Sequence, residues 1–276
     1  MILEPERFSA NDIPSQPPFL ILTWFSLALR NLLRNARRSI TTIAAVALGY
    51  AAINILAGFT AYMFASIEDA HIYEQVNGQV QIWKAGARDY AGPDPGKYLI
   101  SADEFQSIKA VAKEDPRILL SAGLLEVKGN LDYEGTPGFF IGQAMVPEER
   151  DAIHNRSTAL RSADGHTYEG KALTQKEPYG IAITTGMAEN MGMKVDANVV
   201  LMAPSISGQM NAVDAQVFQI ADVASEALNN RYLFMSLELA QNLYDTQGVS
   251  CVRFLLQENS ETDAVVASLR EHFPES

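Results

Sequence analysis

Twenty-eight consecutive residues, Ile40 to Ile67, carry no charged side chain. In a helix rising about 1.5 Å per residue the run extends roughly 42 Å, against about 30 Å for the hydrocarbon core of a bilayer. The pattern predicts one membrane-spanning helix over residues 39–67, with length left over to tilt or to protrude as a stalk. Arg30, Arg34, Arg37 and Arg38 precede the run, and Glu68 and Asp69 follow it. Basic residues gather on the cytoplasmic side of a span, so these arginines set the topology: amino terminus in the cytoplasm, the rest outside. A cleaved secretion signal would have a shorter apolar stretch nearer the terminus. A core helix of a soluble protein rarely stays uncharged for so long. Both readings are set aside.

Within the run, Ala45 and Gly49, then Ala57 and Ala61, are small residues four apart, a spacing that lets helices approach closely. Asn54 lies near the midpoint, where an unsatisfied amide is costly. These five residues are expected to pack against partner helices. Ahead of the run, residues 1–18 are polar and proline-bearing and are expected to be a flexible cytoplasmic segment. Over residues 19–38, Leu22, Phe25, Leu29, Leu32 and Leu33 share one helical face and the four arginines take the other. Such a helix can lie as an elbow in the membrane interface, arginines toward anionic lipid headgroups. A plain cytoplasmic extension of the span is the other reading.

Beyond residue 67 the periodicity changes. Gly78 to Trp83 alternates as a strand does, and a turn-rich loop follows with Gly86, Gly92, Pro93, Pro95 and Gly96. Ser101 with Glu104 three residues later is a capping box, predicting a helix to about Lys113. Strands are predicted at 118–127 and 138–142. A polar stretch from Pro147 to Pro178 has room for a short helix or two. A helix over 185–193 should end near Gly192, followed by strands at 198–202, 215–223 and 232–235. A helix at 237–244, a strand at 250–256 and a helix at 261–273 complete the pattern. The expected fold class is α+β: one amino-terminal transmembrane helix, then a mixed α/β extracytoplasmic domain over 68–276 with a β-rich subdomain at about 143–235.

That domain carries 16 basic and 30 acidic side chains, a balance that repels nucleic acid. Cys251 is the single cysteine, so no intrachain disulfide can form. Its strand-like surroundings predict a buried, inert thiol. Signals for chemistry are poor. Gly92 to Tyr98 superficially resembles a phosphate loop, but two prolines remove amide donors and Tyr98 stands where a hydroxyl would hold the metal. His71, His154, His166 and His272 show no metal-ligand spacing. The run Glu148 to Asp151 reads as solvated surface, Ser205 to Gly208 as the mobile tip of a hairpin, and Asn155-Arg156-Ser157 as a formal glycosylation sequon. No catalytic residue, cofactor or metal is expected.

Six segments in fixed order carry a resemblance: ALRNLLRNARRS from Ala28, TTIAAVALG from Thr41, ITTGMAENMGMKVDANVVL from Ile183, VFQIAD from Val217, NRYLFMSLELAQNL from Asn230 and GVSCVRFLL from Gly248. Together, over about residues 19–273, the chain resembles the transmembrane subunit of a MacB/LolC/LolE-type ABC transporter. The resemblance implies a mixed α/β (Porter-like) periplasmic subdomain interrupted by a β-rich (Sabre-like) one, with Asp196-Ala197 departing from the usual Gly-Asp. It also implies a final strand and three more membrane helices, which this sequence does not contain. The expectation is either a fragment of a longer subunit or an incomplete gene product. The implied partners are a cytoplasmic ATPase subunit, a second permease copy or paralogue, membrane lipids and a periplasmic protein. The implied role, in the inner membrane, is ATP-driven motion of the periplasmic domain for lipoprotein release or efflux, with ATP hydrolysed by the separate subunit. An ATP-independent, membrane-anchored binding or scaffold protein is the alternative. A tethered hydrolase has no motif behind it.

Overall fold

The computed structural model describes residues 18–90, 95–158, 168–222 and 227–273. The chain divides into two compact units, residues 1–64 and 65–276. Of the expected flexible segment 1–18, all but Pro18 lies outside the described residues.

In the first unit, α1 spans Pro18–Arg34, and α2 begins at Ala36 and continues to Asp69. The Asn35 amide donates to the Asn31 carbonyl at 3.2 Å, and its carbonyl accepts from the Arg38 and Ser39 amides at 3.0 Å each. Main-chain bonding therefore runs on through the break. The sequence predicted a helix boundary at residue 38; the break between α1 and α2 falls at Asn35, a poor helix former. Arg37 and Arg38 thus sit in the first turn of α2 rather than on the preceding helix. At 34 residues α2 is about 51 Å long. Among the described residues it lies in the one helix long and apolar enough to cross a membrane. The Thr41 and Thr42 hydroxyls donate to the Arg38 carbonyl at 2.8 and 3.0 Å, turning polar side chains back onto the backbone where the apolar run begins.

The second unit opens with the last turn of α2, which passes into a π-helical turn at Ala70–Glu74. Its strands are β1 (Val80–Trp83), β2 (Ile118–Tyr133), β3 (Thr136–Met145), β4 (Tyr168–Gly170), β5 (Gly180–Thr184), β6 (Asn198–Pro204), β7 (Met210–Ala221), β8 (Tyr232–Ser236) and β9 (Cys251–Leu256). Five further helices matter for the packing: α3 (Ala102–Glu114), α4 (Pro147–His154), α5 (Thr185–Met191), α6 (Leu237–Tyr244) and α7 (Thr262–His272).

Strand β2 organises this unit. Its first half pairs antiparallel with β9, which in turn pairs with β1. From Leu125 onward it pairs instead with β3, through a two-residue turn at Glu134 and Gly135. Both turn residues have positive φ, 51° and 81°, the type I′ geometry whose twist suits a hairpin. The same half of β2 pairs on its other side with β6. Following the pairings from β2 through β3, β8, β5, β7 and β6 returns to β2, so six strands close into a ring. Two of the seams, β3 with β8 and β5 with β7, are parallel. Leu131, Phe140, Ile181, Val217, Leu201, Leu233 and Met235 are buried in one core with these strands. The ring draws on residues 125–145 as well as on the 143–235 segment expected to form a β-rich subdomain, because β2 belongs to both sheets.

Helix α6 packs against β2, β3, β6, β7 and β8 and covers one end of the ring. Its Tyr244 hydroxyl donates to the Lys128 carbonyl at 2.9 Å and accepts from the Lys128 amide at 2.8 Å. The α3 capping box is present: the Glu104 amide donates to Ser101 Oγ at 3.3 Å and the Ser101 amide to Glu104 Oε2 at 2.7 Å. Gly192 ends α5 in the left-handed conformation, φ 68°. A second core lies between the outer face of the ring, the β9–β2 face and α4, with Leu124, Met145, Ile153, Phe218, Phe234, Cys251 and Val76.

Candidate functional site

A polar network in the second unit surrounds the exit of α2. Asp69, the last residue of that helix, is only 9% exposed. Its Oδ2 accepts from the Ser157 hydroxyl at 2.5 Å. The Thr158 amide donates to both carboxylate oxygens, at 2.9 and 3.1 Å, and the Thr158 hydroxyl to Oδ1 at 2.9 Å. Hydrogen bonds to an ionised acceptor are about twice as strong as neutral ones. One residue earlier, Glu68 Oε1 accepts from Asn259 Nδ2, a residue just beyond β9. Asn259 Oδ1 accepts in turn from Gln79 Nε2 at 2.9 Å, while Gln79 Oε1 accepts from the Leu256 amide at 3.0 Å. A His154 ring nitrogen lies 3.3 Å from the Tyr73 carbonyl. The end of α2 and the π-helical turn are thereby bonded to the segment after α4 and to the end of β9.

The backbone after the π-helical turn is equally constrained. The Gly78 amide donates to the Ile72 carbonyl at 3.0 Å, and the Gln79 amide to the Phe254 carbonyl, also at 3.0 Å. Gly78 has φ 66°, and a Cβ there would lie 2.5 Å from the Phe254 carbonyl oxygen, so only glycine fits this close approach. Within the second unit, the last turn of α2 and the turn after it are thus tied to β9 and to the segment after α4.

The predicted packing residues divide between two faces of α2. At about 100° per residue, Asn54, Ala57 and Ala61 fall within about a 60° arc, whereas Gly49 and Ala45 lie roughly 80° and 120° from its nearer edge. Asn54 Nδ2 donates to the Tyr50 carbonyl at 2.8 Å, one turn back, so part of its polarity is met within its own helix. A Cβ added at Gly49 would meet nothing within 4 Å. Arg30 and Arg34 lie on α1, Arg37 and Arg38 on α2, all exposed.

Other expectations need adjustment. The Ser205–Gly208 tip between β6 and β7 is docked, not mobile: the Ile206 amide donates to the Tyr244 carbonyl at 2.9 Å, and Asn211 Nδ2 to the Asn242 and Leu243 carbonyls at 2.9 and 3.1 Å. The missed signal was the carboxyl end of α6, whose last carbonyls need donors. In the Glu148–Asp151 run, Glu149 is not solvated surface. Its side chain is 19% exposed and pairs with Lys109 of α3 at 3.1 Å, and Oε2 is buried without a partner. His71 sits in the π-helical turn, His272 bonds the Ser268 carbonyl at the end of α7, and His166 lies outside the described residues. Cys251 is fully buried, and burial pushes its thiol up to about 12.

Burial also raises the Glu149 carboxyl above its ordinary value, against the pull of Lys109 and with a small push from Glu148. A carboxyl raised by folding contributes stability that is complete below its unfolded pKa and is lost as pH rises through the folded one. Relative to Glu149→Gln, the unaltered protein should therefore gain stability as pH falls through that window. Urea midpoints measured over a pH series check this; parallel curves for the two proteins would refute it.

The profile of the MacB-like periplasmic core domain family matches residues 39–272. No curated protein sequence matches the chain. Among solved structures, the chain is similar to the extracellular domain of the noncanonic ABC-type transporter YknZ from Gram-positive bacteria, at 10% identity over 71% of this chain and 95% of that one, with a TM-score of 0.46. It is similar also to the periplasmic region of MacB from Actinobacillus actinomycetemcomitans, at 8% identity over 70% of this chain and 81% of that one, with a TM-score of 0.49. With the profile spanning the apolar helix and nearly all of the α+β unit behind it, this chain belongs to the MacB-like periplasmic core domain family.

Proposed function

We propose that the chain is a permease component of an ABC transporter, anchored in the cytoplasmic membrane by α2, with its amino terminus inside and residues 68–276 outside. A separate ATPase subunit hydrolyses ATP in the cytoplasm. The resulting helix motion reaches the outer domain and moves a cargo, in lipoprotein release or in efflux. The observation that carries this reading is the Asp69 cluster. A helix can act as a lever on a domain only if its last turn is fixed there, and Asp69 takes hydrogen bonds from Ser157 and Thr158 at that turn. The arc of Asn54, Ala57 and Ala61 supports a second permease copy or paralogue alongside α2. The excess of acidic side chains on the outer unit argues against nucleic acid as a partner.

The test is biochemical. The full-length subunit, purified from membranes with its ATPase, should hold that ATPase and alter its turnover, and Asp69→Ala should weaken the alteration while leaving the complex assembled. A subunit that neither binds an ATPase nor changes its turnover defeats the proposal.

A further inference from the structure

Val76 has φ 56°. A β-branched residue seldom enters the left-handed region, because its Cβ crowds the neighbouring carbonyl oxygen. Among the described residues the other non-glycine positions with positive φ are Glu134, Asp196 and Asp245, none of them β-branched. Val76 follows directly on the π-helical turn and Gln75, and its side chain is buried in the second core, 5% exposed. The left-handed turn leaves the Val76 carbonyl outside any helical ladder, and a buried carbonyl must find a donor.

The donor is Arg253. It sits in the middle of β9, opposite Gln81 of β1 and Ala122 of β2, and is 3% exposed. Its Nη1 donates to the Val76 carbonyl at 2.8 Å and approaches Gln143 Oε1 of β3 at 3.3 Å, while Nε is buried without a partner. Among the described residues no carboxylate lies within ion-pair distance of it. A guanidinium taken out of water without an opposing charge is costly. A strained valine and an uncompensated buried cation thus meet in one hydrogen bond, which touches the bend after α2, the β1–β9–β2 sheet and the ring together.

We propose that Arg253 is a positioning residue that clamps Val76 in its left-handed conformation, so that residues 70–78 form a strained, latched bend rather than a passive linker. Backbone strain persists only where surrounding groups over-determine it, and here Arg253 adds a bond from another strand to the packing of the Val76 side chain and the main-chain bonds on either side of its carbonyl. Loss of the clamp releases the bend while the ring stays folded. Any use of this latch in transmitting motion rests on the function proposed above.

Hydrogen exchange read by mass spectrometry on the whole chain in lipid nanodiscs tests the latch. The Gln75, Val76 and Gly78 amides, bonded to the Ala70, Tyr73 and Ile72 carbonyls, are the reporters. Arg253→Met should speed their exchange by about tenfold or more, with β7 unchanged, because a buried carbonyl loses its donor and strain is freed. In a Val76→Gly background, where φ 56° is unstrained, the same Arg253→Met change should speed exchange markedly less. Additive effects of the two substitutions, equal loosening of β7, or no change at the reporters would each overturn the proposal. Should Arg253→Met fail to fold, the cycle is run with Arg253→Lys and judged the same way. ATPase turnover of the assembled full-length subunit is read separately. Coupling in exchange with unaltered turnover would keep the latch and remove only the transmission reading.

Discussion

Asp69→Ala is expected to destabilise the second unit by about 2 kcal/mol, because the buried Ser157 hydroxyl and the part-buried Thr158 amide lose one shared carboxylate. The Ser157 hydroxyl loses its short bond at the end of α2 and is left beside Glu74 Oε1, 3.5 Å away, while the Thr158 amide loses both of its carboxylate contacts. Denaturant unfolding of the membrane protein in detergent, followed by the fluorescence of half-buried Trp83, measures the change. Asp69→Asn keeps one acceptor for the Thr158 amide and should lose less than half as much. A loss for Asp69→Ala within about 0.5 kcal/mol, the range of ordinary surface changes, would remove the junction from the account.

The second large effect is at Gly142, in the middle of β3 between Val127 of β2 and Leu233 of β8. A Cβ there collides with the Leu233 carbonyl oxygen. That oxygen is backbone of a parallel seam and cannot move without separating β3 from β8. Gly142→Ala should therefore cost about 3 kcal/mol or more, comparable to the worst overpacking of a core. Because the ring closes only through this seam, near-ultraviolet circular dichroism should lose its fixed aromatic signal in the same variant. A stable variant with an unchanged spectrum would show that the seam has slack and that closure is not what holds these strands.

Local chemistry made much of this legible. The uncharged run, the capping box at Ser101 and Glu104, and the helix stop at Gly192 each act within a few residues, so the sequence displays them directly. Strand alternation located most of the strands to within a few residues. The ring was not legible, because β3 meets β8 and β5 meets β7 across long stretches of chain, and no periodicity records which strands pair. The Glu134–Gly135 turn was missed because glutamate is an unusual first residue for a type I′ loop. At the junction, Asp69 read only as an acidic flank of the span; its role depends on Ser157 and Thr158, nearly ninety positions later. Glu149 looked like part of a solvated charge run because neighbours in sequence say nothing of Lys109 on another helix. Val76 offers no signal at all: a valine in left-handed backbone is imposed by its surroundings.

The buried cysteine has a practical corollary. With its sulfur buried inside β9 and burial disfavouring the thiolate, Cys251 is blind to maleimides and similar electrophiles while the protein is native. Spectroscopic probes can therefore be attached to single introduced thiols without first removing the natural one. Modification of Cys251 itself then becomes a clock for global opening, readable in a living cell's own membranes.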